Sequence, residues 1–190
     1  MFGASRITVE GKYGVLVLKN DGTYNYTPSG KDGGVEEFTY IVKNALGATD
    51  TGTLTIEVPL MVTGTVHNNS IVGSAADDTF TMDEGDDTIV FDLLDAADAT
   101  GGNGTDTWTD FAVNEDIIDI SALLDDKATA LNVHEYIDVQ YDESTKSATI
   151  SIDRDGKEGT EFESAKLLML TNQDKTITLD DLLQNNQIIF

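Results

Sequence analysis

Through residues 7–58, apolar and polar positions alternate with a period of two. Val9, Val15–Leu18, Tyr24–Tyr26, Phe38–Val42 and Leu54–Val58 read as short strands, and Asn20-Asp21-Gly22 and Ser29-Gly-Lys-Asp-Gly-Gly34 read as turns between them. Strands at this spacing, with almost no helical period, predict a β-sandwich. From Gly73 the pattern changes. One nine-residue phrase is written three times, as Gly73-Ser-Ala-Ala-Asp-Asp-Thr-Phe-Thr81, Met82-Asp-Glu-Gly-Asp-Asp-Thr-Ile-Val90 and Gly101-Gly-Asn-Gly-Thr-Asp-Thr-Trp-Thr109. Its sixth place is an acid (Asp78, Asp87, Asp106) and its eighth a large apolar residue (Phe80, Ile89, Trp108). Beyond residue 110, Tyr136–Tyr141 and Ala148–Asp153 alternate as a hairpin around 142–146, and Phe162–Leu170 continues as a third strand. Leu123-Leu124 opens a short helix, and Thr178 caps another at Leu179–Leu183.

The repeat has a chemical reading. Glycines early in the phrase bring main-chain carbonyls close together, while its last residues run as a strand with one side chain inward. Stacked coils of this kind form a parallel β-roll, and the last copy, Gly101–Thr109, matches the pattern G-G-x-G-x-D-x-U-x at every specified position. Carbonyl and carboxylate oxygens then face the loop two repeats on, and hard oxygen ligands at that density select Ca²⁺. The first two copies are in phase, but the next slot, Phe91–Ala99, has Ala96 in place of the acid, and Thr100 is one residue too many. Counting slots puts Asp83–Asp87 opposite Gly101–Asp106, one full coil apart, and that pair is the expected calcium site. The loop ending at Asp78 has only the degenerate slot as its partner. Candidate ligands are Asp78, Asp83, Gly85, Asp86, Asp87, Gly101, Asn103, Thr105 and Asp106, through carboxylates and main-chain carbonyls. The bland alternative is a set of ordinary Asp/Gly turns on an acidic surface.

Charge sharpens this picture. The net charge is -24, and it is local: residues 1–60 carry 5 basic and 7 acidic side chains, the remainder 6 and 28. Between Gly73 and Asp110 stand 11 acids and no Lys or Arg. Such a field repels nucleic acid and anionic lipid and opposes compaction until cations neutralise it. With no cysteine and only His67 and His134, thiolate and multi-histidine metal sites are excluded. No apolar run is long enough for a membrane span, and no secretory leader is expected.

These words carry three resemblances. The repeats resemble the RTX repeats of proteins exported by Gram-negative type I secretion systems. Gly14-Val-Leu-Val-Leu18, Asp21-Gly-Thr-Tyr-Asn-Tyr-Thr-Pro28, Glu37-Phe-Thr-Tyr-Ile-Val42 and Asp50-Thr-Gly-Thr-Leu-Thr-Ile-Glu-Val58 resemble the later two-thirds of a bacterial immunoglobulin-like or cadherin-like module of giant adhesins. Asp110-Phe111-Ala-Val-Asn-Glu-Asp116-Ile-Ile-Asp-Ile-Ser-Ala-Leu-Leu124 is similar to the start of the C-terminal target domain of type I secreted proteins.

The resemblance implies a mainly β chain: a partial Ig-like β-sandwich at 1–60, a junction at 61–72, a calcium-binding β-roll at 73–109, and a β-rich cap with short helices at 110–190 that carries the secretion signal. It also implies that the chain is part of a longer protein. The partners it implies are the ABC transporter, membrane fusion protein and outer-membrane channel of the exporter. The place is outside the cell or on its surface, with adhesion or biofilm formation as the task. No G-x-S-x-G, H-E-x-x-H or phosphate-binding glycine loop is present, so no catalysis is expected, although spacing alone leaves a glycosidase-like carboxylate pair open. The alternative is the export and folding end of an RTX protease or lipase. A sugar or peptide site among Tyr13, Tyr24, Tyr26, Phe38 and Tyr40 is a third reading, but aromatics in strands more often form core. Asp153-Arg-Asp-Gly156 lacks the later acids of an EF-hand and reads as a β-turn.

Overall fold

The computed structural model describes residues 6–30, 32–44 and 46–190; Lys31, inside the expected 29–34 turn, lies outside the described residues, as do residues 1–5 and Ala45. Strands β1 (Arg6–Glu10), β2 (Gly14–Lys19) and β3 (Tyr24–Pro28) form an antiparallel sheet in sequence order, and β4 (Gly34–Lys43) pairs with β5 (Thr49–Val58) as a long hairpin. The two sheets meet through a small core. Leu16, Phe38 and Val58 are buried, and the Tyr26 and Phe38 rings meet edge to face with centroids 6.2 Å apart. Glu36 of the hairpin is buried and accepts from the Tyr26 hydroxyl and from the main chain of Lys12 and Tyr13. Burial beside that carboxylate pushes the Tyr26 phenol up to about 12. Tyr24 and Tyr40 are exposed.

The second unit is a parallel roll of two sheets that share strands alternately. One sheet holds β6 (Met61–Thr63), β8 (Thr79–Thr81) and β10 (Asp106–Trp108); the other holds β7 (Ser70–Val72), β9 (Thr88–Val90) and β11 (Ile117–Asp119). Each coil therefore contributes one three-residue strand to each sheet, with Val62 opposite Phe80, Phe80 opposite Trp108, and Ile71 opposite Ile89 opposite Ile118. Alternation sends the middle residue of β8, β9 and β11 inward, and in β10 the first and last. Phe80, Ile89, Trp108 and Ile118 are fully buried, each contributing about 1.5–3 kcal/mol. Residues 61–72, read from sequence as a junction, supply the first coil.

The slot 91–99 forms no strand. Its eighth position is Asp98, and a carboxylate cannot take the interior place held by Phe80 and Ile89 without a large desolvation cost. Asp98 turns outward instead and accepts from Thr100 Oγ1 at 2.6 Å, Thr100 N at 2.8 Å and Gly102 N at 3.1 Å. The chain passes from β9 to β10 in one long loop.

The C-terminal segment extends both sheets. Strands β12 (Ile137–Asp142), β13 (Ser147–Ile152) and β14 (Ala165–Leu170) form an antiparallel meander whose last member pairs in parallel with β10. Helix α1 (Leu179–Gln184) leads into β15 (Ile188–Ile189), which pairs with β11. Thr178 and Asp181 close a reciprocal capping box at the start of α1. At Leu123-Leu124 a turn replaces the expected helix. The Leu123 carbonyl, which a further helical turn would need, accepts from Arg154 Nε at 3.0 Å. Asp153–Gly156 is a turn, with Gly156 N–H on the Asp153 carbonyl at 3.2 Å and Gly156 at φ 74°. Among the described residues no helix is long and apolar enough to cross a membrane.

Candidate cation-binding loops

The loops of the roll fall on two sides. On the first side stand 64–69, 82–87 and 109–116; on the second stand 73–78 and 91–105. Since the slot 91–99 adds no strand, it shifts the later loops by half a coil. Gly101–Asp106 consequently stacks on 73–78, and Asp83–Asp87 lies on the opposite side of the roll. The slot count had paired 83–87 with 101–106; the structure separates them and joins Asp106 to Asp78.

On the second side, Asp106 Oδ1 accepts the Asp78 N–H at 2.8 Å, while Asp106 Oδ2 is buried and, among the described residues, accepts nothing. Asp78 in turn reaches one coil back, accepting from Leu60 N at 2.7 Å, and it also takes Ser74 N at 2.6 Å and Ser74 Oγ at 2.8 Å. Asp77 accepts from Thr105 N at 2.8 Å. Gly73 lies between the acids: a β-carbon there would stand 3.5 Å from Asp106 Oδ2 and 3.7 Å from Asp78 Oδ2. Gly104 takes φ 70°, in the left-handed region that favours glycine, and a β-carbon on it would push aside the Asp77 carboxylate, whose Oδ1 would stand 2.6 Å away. Asn103 is fully buried; its Nδ2 donates to the carbonyls of Asp92 and Thr100, both at 2.9 Å, and its Oδ1 accepts nothing. Gly101 stacks under Leu123.

The first side repeats the theme. Asp87 Oδ1 accepts the Asn69 N–H at 2.7 Å, and its buried Oδ2 accepts nothing. Asp87 N–H donates to Asp116 Oδ1 at 3.0 Å, and Asp116 Oδ2 takes Ala112 N at 2.7 Å. Asp86 and Asn68 exchange contacts, with Asp86 N on Asn68 Oδ1 at 3.1 Å. Asp83 sits at φ 66° and donates its N–H to Asp110 Oδ2 at 2.8 Å. Gly85 backs onto the main chain of His67 and Asn68, where a β-carbon would approach to 2.8 Å.

A ladder of acids thus runs up each side, every one gripping the N–H of the coil before it. Asp116 belongs to this ladder and was missed as a ligand-loop residue. Its signal was present: Asp116-x-Ile118 repeats Asp78-x-Phe80, Asp87-x-Ile89 and Asp106-x-Trp108. Asp77 and Asp110 were missed because their partners lie 28 residues away.

Electrostatics here are set by burial without a nearby base. Desolvation, then the Asp78 and Asp77 carboxylates, push Asp106 up to about 8 against the opposing pull of the Asp78 N–H. Desolvation, with Asp87 and Asp110 adding to it, lifts Asp116 to about 6. Among the described residues no three His, Asp or Glu side chains are gathered as a ready-made metal cluster, so a bound ion would draw on main-chain carbonyls as well.

A short parallel β-roll with carboxylate-laddered turns, closed by a β-rich cap, is the class of protein that fold and loops define. The chain belongs to the family described as peptidase M10 serralysin C terminal, which matches residues 34–178. This is a family of RTX-type, calcium-binding regions of secreted bacterial proteins. Residues 3–57 match the bacterial Ig domain family. No curated protein sequence matches the chain. Among solved structures, the chain is similar to the AlgE6R3 subunit of the Azotobacter vinelandii mannuronan C5-epimerase, with 19% identity and a TM-score of 0.44 over 70% of this chain and 78% of that one. It is also similar to the extracellular lipase LipA of Serratia marcescens, with 9% identity and a TM-score of 0.34 over 97% of this chain and 30% of that one.

Proposed function

We propose that this chain is the calcium-binding, secretion-signal region at the C-terminal end of a large bacterial surface adhesin, exported by a type I system and folded by extracellular calcium. One observation carries the calcium reading. Asp87 and Asp106 are fully buried, each spends one oxygen on an N–H one coil back, and each keeps a second oxygen that accepts nothing among the described residues. Buried charge without a partner is costly, and a segment of 11 acids with no Lys or Arg offers no local counter-charge. Calcium supplies the positive charge that these oxygens lack. Asp106 with Gly73, Asp77 and Asp78 would hold it on one side, and Asp87 with the loop 64–69 on the other.

Before calcium is met, mutual repulsion of these acids keeps the segment extended enough to be threaded. Outside, sites of the extracellular class, with Kd about 10⁻⁴–10⁻³ M, fill and drive folding because the ion stabilises only the folded state. The segment leaves the exporter first, so its folding keeps the rest of the adhesin from sliding back. The cap at 110–190 serves as nucleus and as address. The bacterial Ig match at 3–57 supports the adhesin, and the chain itself catalyses nothing. The peptidase family match supports a second reading, in which the same region is the export and folding end of a protease or lipase. Cell adhesion by the full-length protein without hydrolysis of casein or tributyrin favours the first; hydrolysis favours the second. For calcium, calorimetric titration of the Asp87→Asn/Asp106→Asn double variant is expected to show at least tenfold weaker binding. Unchanged affinity would place the ions elsewhere.

A further inference from the structure

Beyond the acid ladder, the second side of the roll ends on a cation of its own. Arg154, almost fully buried, projects from the turn after β13. Its Nε donates to the Leu123 carbonyl at 3.0 Å, and its Nη1 donates to the carbonyls of Ala96 at 3.0 Å and Asp98 at 2.8 Å. These oxygens come from two successive loops on that side: 91–105, and the loop after β11 in which Leu123 stacks on Gly101. The guanidinium also lies over the Phe162 ring, 4.3 Å from its centroid. The other side ends on an uncharged donor. Gln187 Nε2 donates to the carbonyls of Ala112 at 3.1 Å and Asp116 at 2.9 Å, just before β15.

The contrast along the second side is chemical. Between 73–78 and 101–106 the facing groups are three carboxylates and no base; one loop further on they are three main-chain carbonyls around a guanidinium. Converging carbonyl oxygens repel one another, and either a divalent cation or a fixed multi-donor cation can hold them.

We propose that Arg154 is the roll's built-in cation: it holds the converging carbonyls of Ala96, Asp98 and Leu123 in place of a divalent ion, and so makes the joint between roll and cap independent of calcium. The inference rests on the calcium reading of the loops below it. Export logic benefits, since the joint can form before any ion arrives and then template the calcium-dependent coils.

The test is hydrogen exchange of the full chain, read by mass spectrometry, in chelator and in 5 mM Ca²⁺ (about ten times a Kd in the extracellular class). In the wild type, amides of 94–101 and 120–125 should be equally protected in both conditions, while those of 73–79 and 104–107 gain protection only with Ca²⁺. Arg154→Gln should cost 94–101 and 120–125 at least tenfold protection in chelator and recover most of it in Ca²⁺. Arg154→Lys, which keeps the charge, should retain more protection in chelator than Arg154→Gln. Wild-type amides of 94–101 that need Ca²⁺, an Arg154→Gln protein unchanged in chelator, or equal losses in the Gln and Lys variants that Ca²⁺ does not restore would each overturn the assignment. Absence of any Ca²⁺ response at 73–79 and 104–107 would instead overturn the calcium reading, and it is scored on different peptides.

Discussion

The raised affinity of Asp106 for its proton has a consequence for stability that runs opposite to the usual carboxylate behaviour. An acid whose folded-state pKa lies above its unfolded value binds its proton more tightly in the folded protein. Its contribution is therefore fully present below pH 3.8 and is lost as pH rises to about 8. Each pH unit in that window costs about 1.4 kcal/mol, on the order of 6 kcal/mol in all. Asp116, lifted to about 6, adds a loss of about 3 kcal/mol between pH 3.8 and 6. Calcium-free protein should thus weaken as pH rises from 4 to 8.

Asp106→Asn tests the cause. The amide can keep the Asp78 N–H on its oxygen, and its NH₂ then takes the place of the buried Oδ2 that had no donor, without the charge of the carboxylate. In chelator at pH 8 the variant should exceed the wild type by several kcal/mol, on the order of the cost above. In calcium at a hundred times Kd, wild-type stability gains about 2.7 kcal/mol per site, and the variant loses the increment of that site. Emission of Trp108, the sole tryptophan and fully buried between the sheets, reads both: in urea wherever the roll is folded, and as the folded fraction in chelator at pH 8, where the wild-type roll is incomplete. A wild type whose calcium-free stability rises from pH 4 to 8, or an Asn variant weaker than wild type in chelator at pH 8, would refute the reasoning.

Two further substitutions probe the frame. Gly104→Ala forces a β-carbon to within 2.6 Å of Asp77 Oδ1 at φ 70°; it should cost about 1–2 kcal/mol and weaken calcium binding, both measurable in the same urea series with and without the ion. Thr178→Ala removes the cap of α1 and should cost about 1 kcal/mol while leaving calcium affinity unchanged by calorimetry.

The strands were legible because alternation is local: Phe80, Ile89 and Trp108 announce their inward places two residues after each acid. Pairing of the loops was not legible by counting slots, since the outcome turned on whether 91–99 could make a strand. Asp98 answers that question: the charge at the eighth place of 91–99, more than the acid missing at Ala96, decides that the slot makes no strand. Asp116 was hidden by its membership in a second, longer phrase. Arg154 could not be found from sequence, because its value comes from carbonyls 31, 56 and 58 residues away. Such long-range donors carry no local signature.

The central claim is that calcium, rather than general screening of charge, completes the fold of the roll. Far-UV circular dichroism in chelator, then titration with Ca²⁺ and separately with Mg²⁺ at matched ionic strength, tests it most directly. A cooperative gain of β signal with Ca²⁺ alone, concurrent with the Trp108 emission change, is the predicted result. Equal responses to both ions, or a chain whose roll is already complete in chelator at pH 8, would contradict it.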